Sequence, residues 1–423
     1  MTKLIEYGPA KTIIIDERTA SEIDIASNKW KSLLGLRSKP LILNKIGKNA
    51  YRIEAKGVAG FVSFNQVSFE IIPKFLSEEE LGSEWKLAMW NFFLYGAGLN
   101  IFGTAKSSIE SLDGIIDLLA YSFVKEFKKS FLRGFPFEYK SNNVYSASIK
   151  GKLNTKKYHK LLPVTGKIDQ IQTFLSQETS VATLLKWTCS QLMNNVSSGQ
   201  LRQQLSEIST QIPTQNLTKP RNFETLTAKR SSPHLSTLID IAKVIYDDKN
   251  LSFGNSEIKI PGFLWNSHDL FEKVIFRLFK ESLLGQGLSI EKSSQRMLHP
   301  DDGKYPVNTV PDIRVVSGGS TQYLVDAKYK VLKNQPKTED VYQVLAGGRV
   351  NSLEEVCLIY PGNGDPDPFK TYHLNDKFLP YRVMTYKVNL GNFSSSKNIA
   401  ELRKELSATF LQKVLTDDYK VIA

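Results

Sequence analysis

A chain of 423 residues, 41% hydrophobic and 23% charged, is too long for one ordinary core and too apolar for a disordered tail, so two or three folded domains are expected. Its 55 Lys and Arg against 43 Asp and Glu leave a net charge of +12, which argues for phosphate-bearing or acidic partners. The cysteines, Cys189 and Cys357, form no CxxC pair and the five histidines are scattered, which argues against a disulfide framework or a zinc site and for a reducing compartment.

The opening segment, MTKLIEYGPAKTIIIDE, has no long apolar region, and no later stretch reaches ~18 uninterrupted apolar residues. A cytoplasmic protein without a membrane span is expected. Residues 1–80 read as β-rich. KTIIIDE and KPLILNKIG are short apolar runs, and GVAGFVSFNQVSFEIIPKF (Gly57–Phe75) alternates around Phe61, Phe64 and Phe69. From Glu84 the period changes: EWKLAMWNFFLYGAG predicts a helix stopped by Gly96 and Gly98. Its aromatic cluster reads as helix core rather than a base-stacking platform.

LDGIIDLLAYSFVKEFKKSFLRG (Leu112–Gly134) has apolar residues at helical spacing and a basic last turn, as the helix dipole prefers. Residues 121–160 carry ten Lys and Arg against Glu126 and Glu138. This stretch either meets DNA phosphates or an acidic partner surface, or is a solubilising face, and the sequence leaves the three open. A hairpin is expected at 138–160. TSVATLLKWTCSQLMNNV, SGQLRQQLSEISTQI and LSTLIDIAKVIYDD (Leu235–Asp248) predict helices, with residues 212–235 a Ser/Thr- and Pro-rich connection.

After a linker at 249–262, HDLFEKVIFRLFKESLLGQG predicts a strong helix ending at Gly285. Helix, strands, helix and strand then alternate as in an α/β arrangement, with a final helix at 398–416. The chemistry concentrates in YPVNTVPDIRVVSGGSTQYLVDAKYKVL, Tyr305–Leu332. Two β-like runs flank a Gly318-Gly319 turn, with Asp312 heading the first and Asp326 and Lys328 ending the second. Close carboxylates repel unless a cation sits between them, and hard oxygen ligands suit Mg²⁺. Lys328, two residues past Asp326, would share its face on an extended strand and could stabilise charge on a phosphodiester under attack. The Ala327 carbonyl would offer a further ligand. Acid-x-Lys alone is nonspecific, since Glu54/Lys56, Glu126/Lys128 and Asp418/Lys420 repeat it. The hairpin context and the following helix-compatible EDVYQVLAGGRV distinguish this copy.

PDI, YLVDAKYK and DVYQVLAGGRV together resemble the PD-(D/E)xK (restriction-endonuclease-like) core, and more narrowly the McrC family of McrBC-type restriction systems. The resemblance extends to the Ile-Pro-Lys segment closing Gly57–Phe75, to SIKGKLN (Ser148–Asn154) and to GFLWNSHDLFEKVIFRLF. The helix QETSVATLLKWTCSQL departs from it in lacking the family's Asn-rich signature. The fold class expected is thus multidomain α+β: a β-rich, partner-docking domain at 1–110, a helical and basic middle region at 111–250, and a PD-(D/E)xK endonuclease domain at 251–423.

The resemblance implies metal ligands at Asp312 and Asp326, to which the hairpin reading adds the Ala327 carbonyl, a catalytic Lys328, Glu272 as an accessory acid and Gln343 as an orienting residue. It implies Mg²⁺, or Mn²⁺ in its place, and a hexameric McrB-type AAA+ GTPase that this chain stimulates. The substrate implied is double-stranded DNA carrying methylated cytosine. The chain has no GxxxxGK[ST], so the motor would be a second polypeptide. Two other readings compete. In one, a degenerate nuclease merely activates a motor, against which the intact Asp-Asp-Lys set argues. In the other, a stand-alone repair nuclease acts alone, against which the long N-terminal half argues, since this fold needs only ~150 residues.

Overall fold

The computed structural model describes residues 2–98, 115–153, 166–220, 223, 230, 232–247, 262–298, 307–365, 367–374 and 381–418. It divides into two compact units, Met1–Ile115 with Lys249–Ala423, and Ile116–Asp248. The chain is mixed α and β, with several separate sheets.

At the N-terminus, β1 (Thr2–Ile5) is followed by β2 (Lys11–Ile14) and helix α1 (Glu17–Leu33). Then come β3 (Leu41–Gly47), β4 (Ala50–Ala55), β5 (Val58–Ser63) and β6 (Ser68–Ile72). Strands β2, β4 and β3 form one antiparallel sheet, while β1 runs parallel to β6, which pairs with β5 as a hairpin. Helix α1 lies in a segment read from sequence as β-rich. Its sparse stripe of Thr19, Ile23, Ala26 and Trp30 is buried at helical spacing, and the Asp16 carboxylate caps it by accepting the Thr19 N–H at 2.7 Å. Helix α2 (Trp85–Gly96) buries Trp85, Ala88, Met89, Trp90 and residues 91–95, so its aromatics are core.

In the middle unit, α3 (Ile115–Phe131) leads into β7 (Glu138–Ser146), β8 (Lys152–Leu153) and β9 (Ile168–Ser176). The hairpin expected at 138–160 is not what forms: β7 and β8 each pair with β9, which is the central strand. Residues 154–160 lie outside the described ones. Helices α4 (Ser180–Asn195), α5 (Gly199–Gln211) and α6 (Ser236–Asp247) complete the unit. Buried Asp117 on α3 accepts the Ser197 N–H at 2.9 Å, which fixes the α4–α5 corner.

The expected linker at 249–262 lies outside the described residues up to 261. Gly262 already belongs to β10 (Gly262–Asn266), which pairs antiparallel with β5 and so adds a late strand to the N-terminal sheet. Helix α7 (Ser267–Ser282) follows, with the Asn266 side chain as its cap. After β11 (Ser289–Glu291), β12 (Gln295–Leu298) and β13 (Val307–Thr309) come β14 (Ile313–Ser317) and β15 (Ser320–Ala327). Their two-residue turn has Gly318 at φ 56° and Gly319 at φ 84°, the left-handed pair that tight hairpins require. Helix α8 (Thr338–Val350), β16 (Glu355–Gly362), β17 (Phe369–His373), β18 (Arg382–Asn389) and α9 (Ser396–Asp418) end the chain. The six-stranded sheet runs β11-β14-β15-β16-β18-β17, with β15, β16 and β18 parallel and the others antiparallel. Among the described residues no helix is long and apolar enough to cross a membrane.

Candidate active site

The β14–β15 hairpin puts its two acids at neighbouring strand ends. Ile313 pairs with Val325, so Asp312 and Asp326 lie just beyond and beside the last registered pair. Asp312 is fixed at both oxygens: Oδ2 accepts the Ala327 N–H at 2.9 Å, and Oδ1 accepts from Lys292 Nζ at 3.2 Å. Asp326 is 3% exposed. Burial, and after it the charge of Asp312, pushes its pKa up to about 7, against the pull of Lys328. The two carboxylates therefore lie close enough for the charge of Asp312 to disfavour ionisation of Asp326.

The strand ends at Ala327, so Lys328 sits just past it rather than on it. Its ammonium nevertheless forms an ion pair with Asp326 Oδ2 and donates to Gln343 Oε1 at 2.9 Å. Gln343 faces the site because α8 packs over β15 and β16, with Val344 buried against Leu324 and Val356. Three anchors hold residues 328–330. The Lys328 N–H donates to the Ile359 carbonyl at 2.7 Å, the Tyr329 hydroxyl donates to Glu6 Oε2 at 2.8 Å, and Lys330 Nζ donates to buried Asp340 at 2.6 Å.

Glu272 reaches the site from α7 through Lys292, whose ammonium donates to Glu272 Oε2 at 3.0 Å as well as to Asp312. Burial, then the charge of Asp312, raises the Glu272 pKa. Burial works against the Lys292 charge, but these two acids outweigh it and its pKa is raised. Among the described residues no cluster of three or more His, Cys, Asp or Glu side chains gathers to hold a metal. What gathers is two carboxylates beside the Ala327 backbone, with Glu272 linked through a lysine. A cleft of about 760 Å³ along α7 is lined by Glu272, Lys273, Phe276, Lys280, Lys292 and Asp312.

Asp312, Asp326, Lys328 and Gln343 thus come together, and Glu272 joins at one remove. Lys292, Tyr329 and Glu6 were not singled out from the sequence. Lys292 lies 20 residues from either partner, and Glu6 is 323 residues from Tyr329, so no local spacing signals them.

A family model described as the McrBC 5-methylcytosine restriction system component matches residues 53–361. No curated protein matches the chain. Among solved structures, the fold is similar to a chain of a refined half-complex from a tetradecameric assembly of Thermococcus gammatolerans McrB AAA+ hexamers with bound McrC. The TM-score is 0.68 at 17% identity, over 96% of this chain and 99% of that one. A chain of the cryo-EM structure of the Thermococcus gammatolerans McrBC complex aligns with a TM-score of 0.48 at 17% identity, over 67% of this chain and 88% of that one.

Proposed function

The chain belongs to the McrBC 5-methylcytosine restriction system component family, and from that premise we propose that it is the Mg²⁺-dependent DNA endonuclease subunit of a GTP-dependent restriction complex. The observation that carries this reading is the buried pair Asp312 and Asp326 at adjacent strand ends, with the Lys328 ammonium on Asp326. Two carboxylates that crowd each other in a dry site, beside a backbone carbonyl, fit a hard cation that keeps part of its water shell. Asp312, Asp326 and the Ala327 carbonyl would hold it. Bound there, Mg²⁺ supplies Lewis-acid chemistry that makes water a better nucleophile and offsets charge on the phosphate.

The remaining work falls to side chains. Lys328, oriented by Gln343, presents its ammonium where a pentavalent phosphate would gather negative charge, and it can hold the attacking water by donating to its oxygen. Glu272, Lys292 and Asp312 line the cleft along α7 together, and there Lys273 and Lys280 would give the DNA backbone a cationic edge. PD-(D/E)xK topology is the fold this reading assigns to the six-stranded sheet and its flanking helices.

The solved relative of similar fold is bound to McrB AAA+ hexamers. By extension the N-terminal half of this chain would dock on an AAA+ GTPase of that type and stimulate it, with modified cytosine in double-stranded DNA as the target. The test is cleavage of cytosine-methylated duplex DNA by the full chain with that partner, GTP and Mg²⁺. Asp326→Ala and Lys328→Ala should each lower the rate roughly 1,000-fold while partner binding and melting temperature hold. Alanine variants that cut at the wild-type rate would refute the assignment. Efficient cutting with no partner or nucleotide would instead favour a stand-alone nuclease.

A further inference from the structure

The segment that delivers Lys328 is anchored in the N-terminal sheet. Glu6 follows β1 and has no solvent exposure. Its own backbone is pinned, because its N–H donates to the Ile72 carbonyl at 2.9 Å and the next residue's N–H donates to the Ala55 carbonyl at 2.8 Å. Its carboxylate Oε2 accepts the Tyr329 hydroxyl at 2.8 Å and, more loosely, the Lys74 N–H at 3.4 Å. The Tyr329 ring is gripped edge-on by Phe75 at 5.1 Å and by His268 at 5.3 Å between centroids, with Phe271 at 5.7 Å. Tyr329 is therefore a plug seated in a socket built by β1, by the 74–76 turn and by the first turn of α7.

We infer that Glu6 is a positioning residue for cleavage: through Tyr329 it holds the backbone that aims the Lys328 ammonium between Asp326 and Gln343. The inference rests on the nuclease reading and adds to it a mechanical link from the N-terminal sheet to the reacting centre. Lys328 has two backbone bonds: its N–H donates to the Ile359 carbonyl in β16, and its own carbonyl accepts the Lys330 N–H at 2.8 Å. The first fixes where residue 328 begins; the second closes a tight turn across 328–330 but ties that turn to nothing outside it. The direction in which the turn points is set by where Tyr329 is seated and by the Lys330–Asp340 pair. The phenol bond to Glu6 is the only one of these contacts that reaches into the N-terminal sheet.

The test uses the full chain with its AAA+ partner, GTP, Mg²⁺ and methylated duplex DNA. It compares wild type, Glu6→Gln, and the double variant Glu6→Leu with Tyr329→Phe. The double variant removes both partners of the phenol–carboxyl bond together, so neither is left orphaned and the fold should survive, as its melting temperature will show. Its single-turnover rate should fall ~100-fold, the loss expected of an angstrom-scale misplacement, with the KM for DNA unchanged. Acetylation of Lys328 by a soluble reagent, followed by mass spectrometry in the absence of DNA, should run ~5-fold faster once the ammonium is less well held. Glu6→Gln keeps an acceptor for the phenol and should restore both readouts. A folded double variant with wild-type rate and unchanged Lys328 labelling overturns the inference. A wild-type chain that fails to cut, while the double variant still labels faster at Lys328, overturns the nuclease reading and leaves the tether standing.

Discussion

Burial gives Glu6 a second measurable signature. Desolvation lifts its pKa from 4.5 to about 7, although the hydroxyls of Tyr329 and Ser267 and the nearby Lys74 pull the other way. Between those two values the folded chain holds a proton that the unfolded chain has already released. Stability therefore falls as pH rises through this window, and the penalty is complete above about 7. At ~1.36 kcal/mol per pH unit the whole effect is on the order of 3 kcal/mol. The same pocket contains Tyr7 and His268, joined at 3.3 Å. Burial lowers the His268 pKa, so its contribution is lost as pH falls and has the opposite sign. Comparing wild type with Glu6→Gln isolates the carboxyl, because Gln keeps the shape and never ionises. The stability advantage of Glu6→Gln in urea unfolding should grow by roughly 3 kcal/mol from pH 4.5 to pH 8.5. A gap that stays flat with pH would show that Glu6 titrates normally. The site itself was legible in part for a related reason. Asp312, Asp326 and Lys328 belong to one hairpin, and a hairpin is a local object that spacing can reveal. Lys292 and Glu6 enter by tertiary packing, which no spacing encodes.

Among the elements, the segment SIKGKLN gains a physical role from the middle sheet. A Cβ on Gly151 would lie 2.2 Å from the Ile171 carbonyl oxygen and 3.0 Å from the Gln172 Cα. These atoms are the backbone of β9, the central strand, and cannot rotate away as a side-chain tip would. Gly151→Ala should therefore lever β8 off β9 and cost about 1–3 kcal/mol. Hydrogen exchange should locate the loss at 151–153 and 170–172, with amides of β14 and β15 unaffected. Unchanged protection across β9 would show that the strand tolerates the shift. The same unit shows why some elements could be read and others not. Helices α4, α5 and α6 follow 3.6-residue stripes such as Leu201, Leu205 and Ile208, which burial makes self-evident. Strand β9 was missed because IDQIQTFLS buries only its first three residues, two of them polar, and alternates weakly thereafter. Helix α1 was missed because its stripe is sparse, with only Ile23 and Trp30 as large apolar residues, within a run of flanking strands. Strand order was beyond reach, since the β15–β16 and β16–β18 crossovers depend on which faces the intervening segments cover.

For the whole chain, the feature with most consequence is that one unit is made from both ends, Met1–Ile115 with Lys249–Ala423. The connection is structural at every layer. Strand β10 takes its hydrogen bonds from β5, burying Leu264 with Val62 and Phe69 in the N-terminal core. The Asn91 side chain of α2 donates to the Phe393 carbonyl at 2.8 Å, and Phe92 packs edge-on to the Phe393 ring at 5.1 Å between centroids. Arg277 of α7 donates to the Tyr95 carbonyl at 2.8 Å, and Glu281 accepts from both the Tyr95 hydroxyl and Arg403. A fragment of residues 251–423 would leave β10 without its neighbour, expose the face that α2 covers, and strip Glu6 and Phe75 from the socket of Tyr329. Three or more unsatisfied buried groups at ~1–3 kcal/mol each approach the entire stability of a domain. That fragment should therefore be molten or insoluble alone, with poorly dispersed amide NMR signals. Co-expression with residues 1–115 should restore a cooperative melt and slow exchange at β15. If 251–423 alone gave a dispersed spectrum and a sharp transition, the N-terminal segment would be an accessory to this core and not a structural part of it.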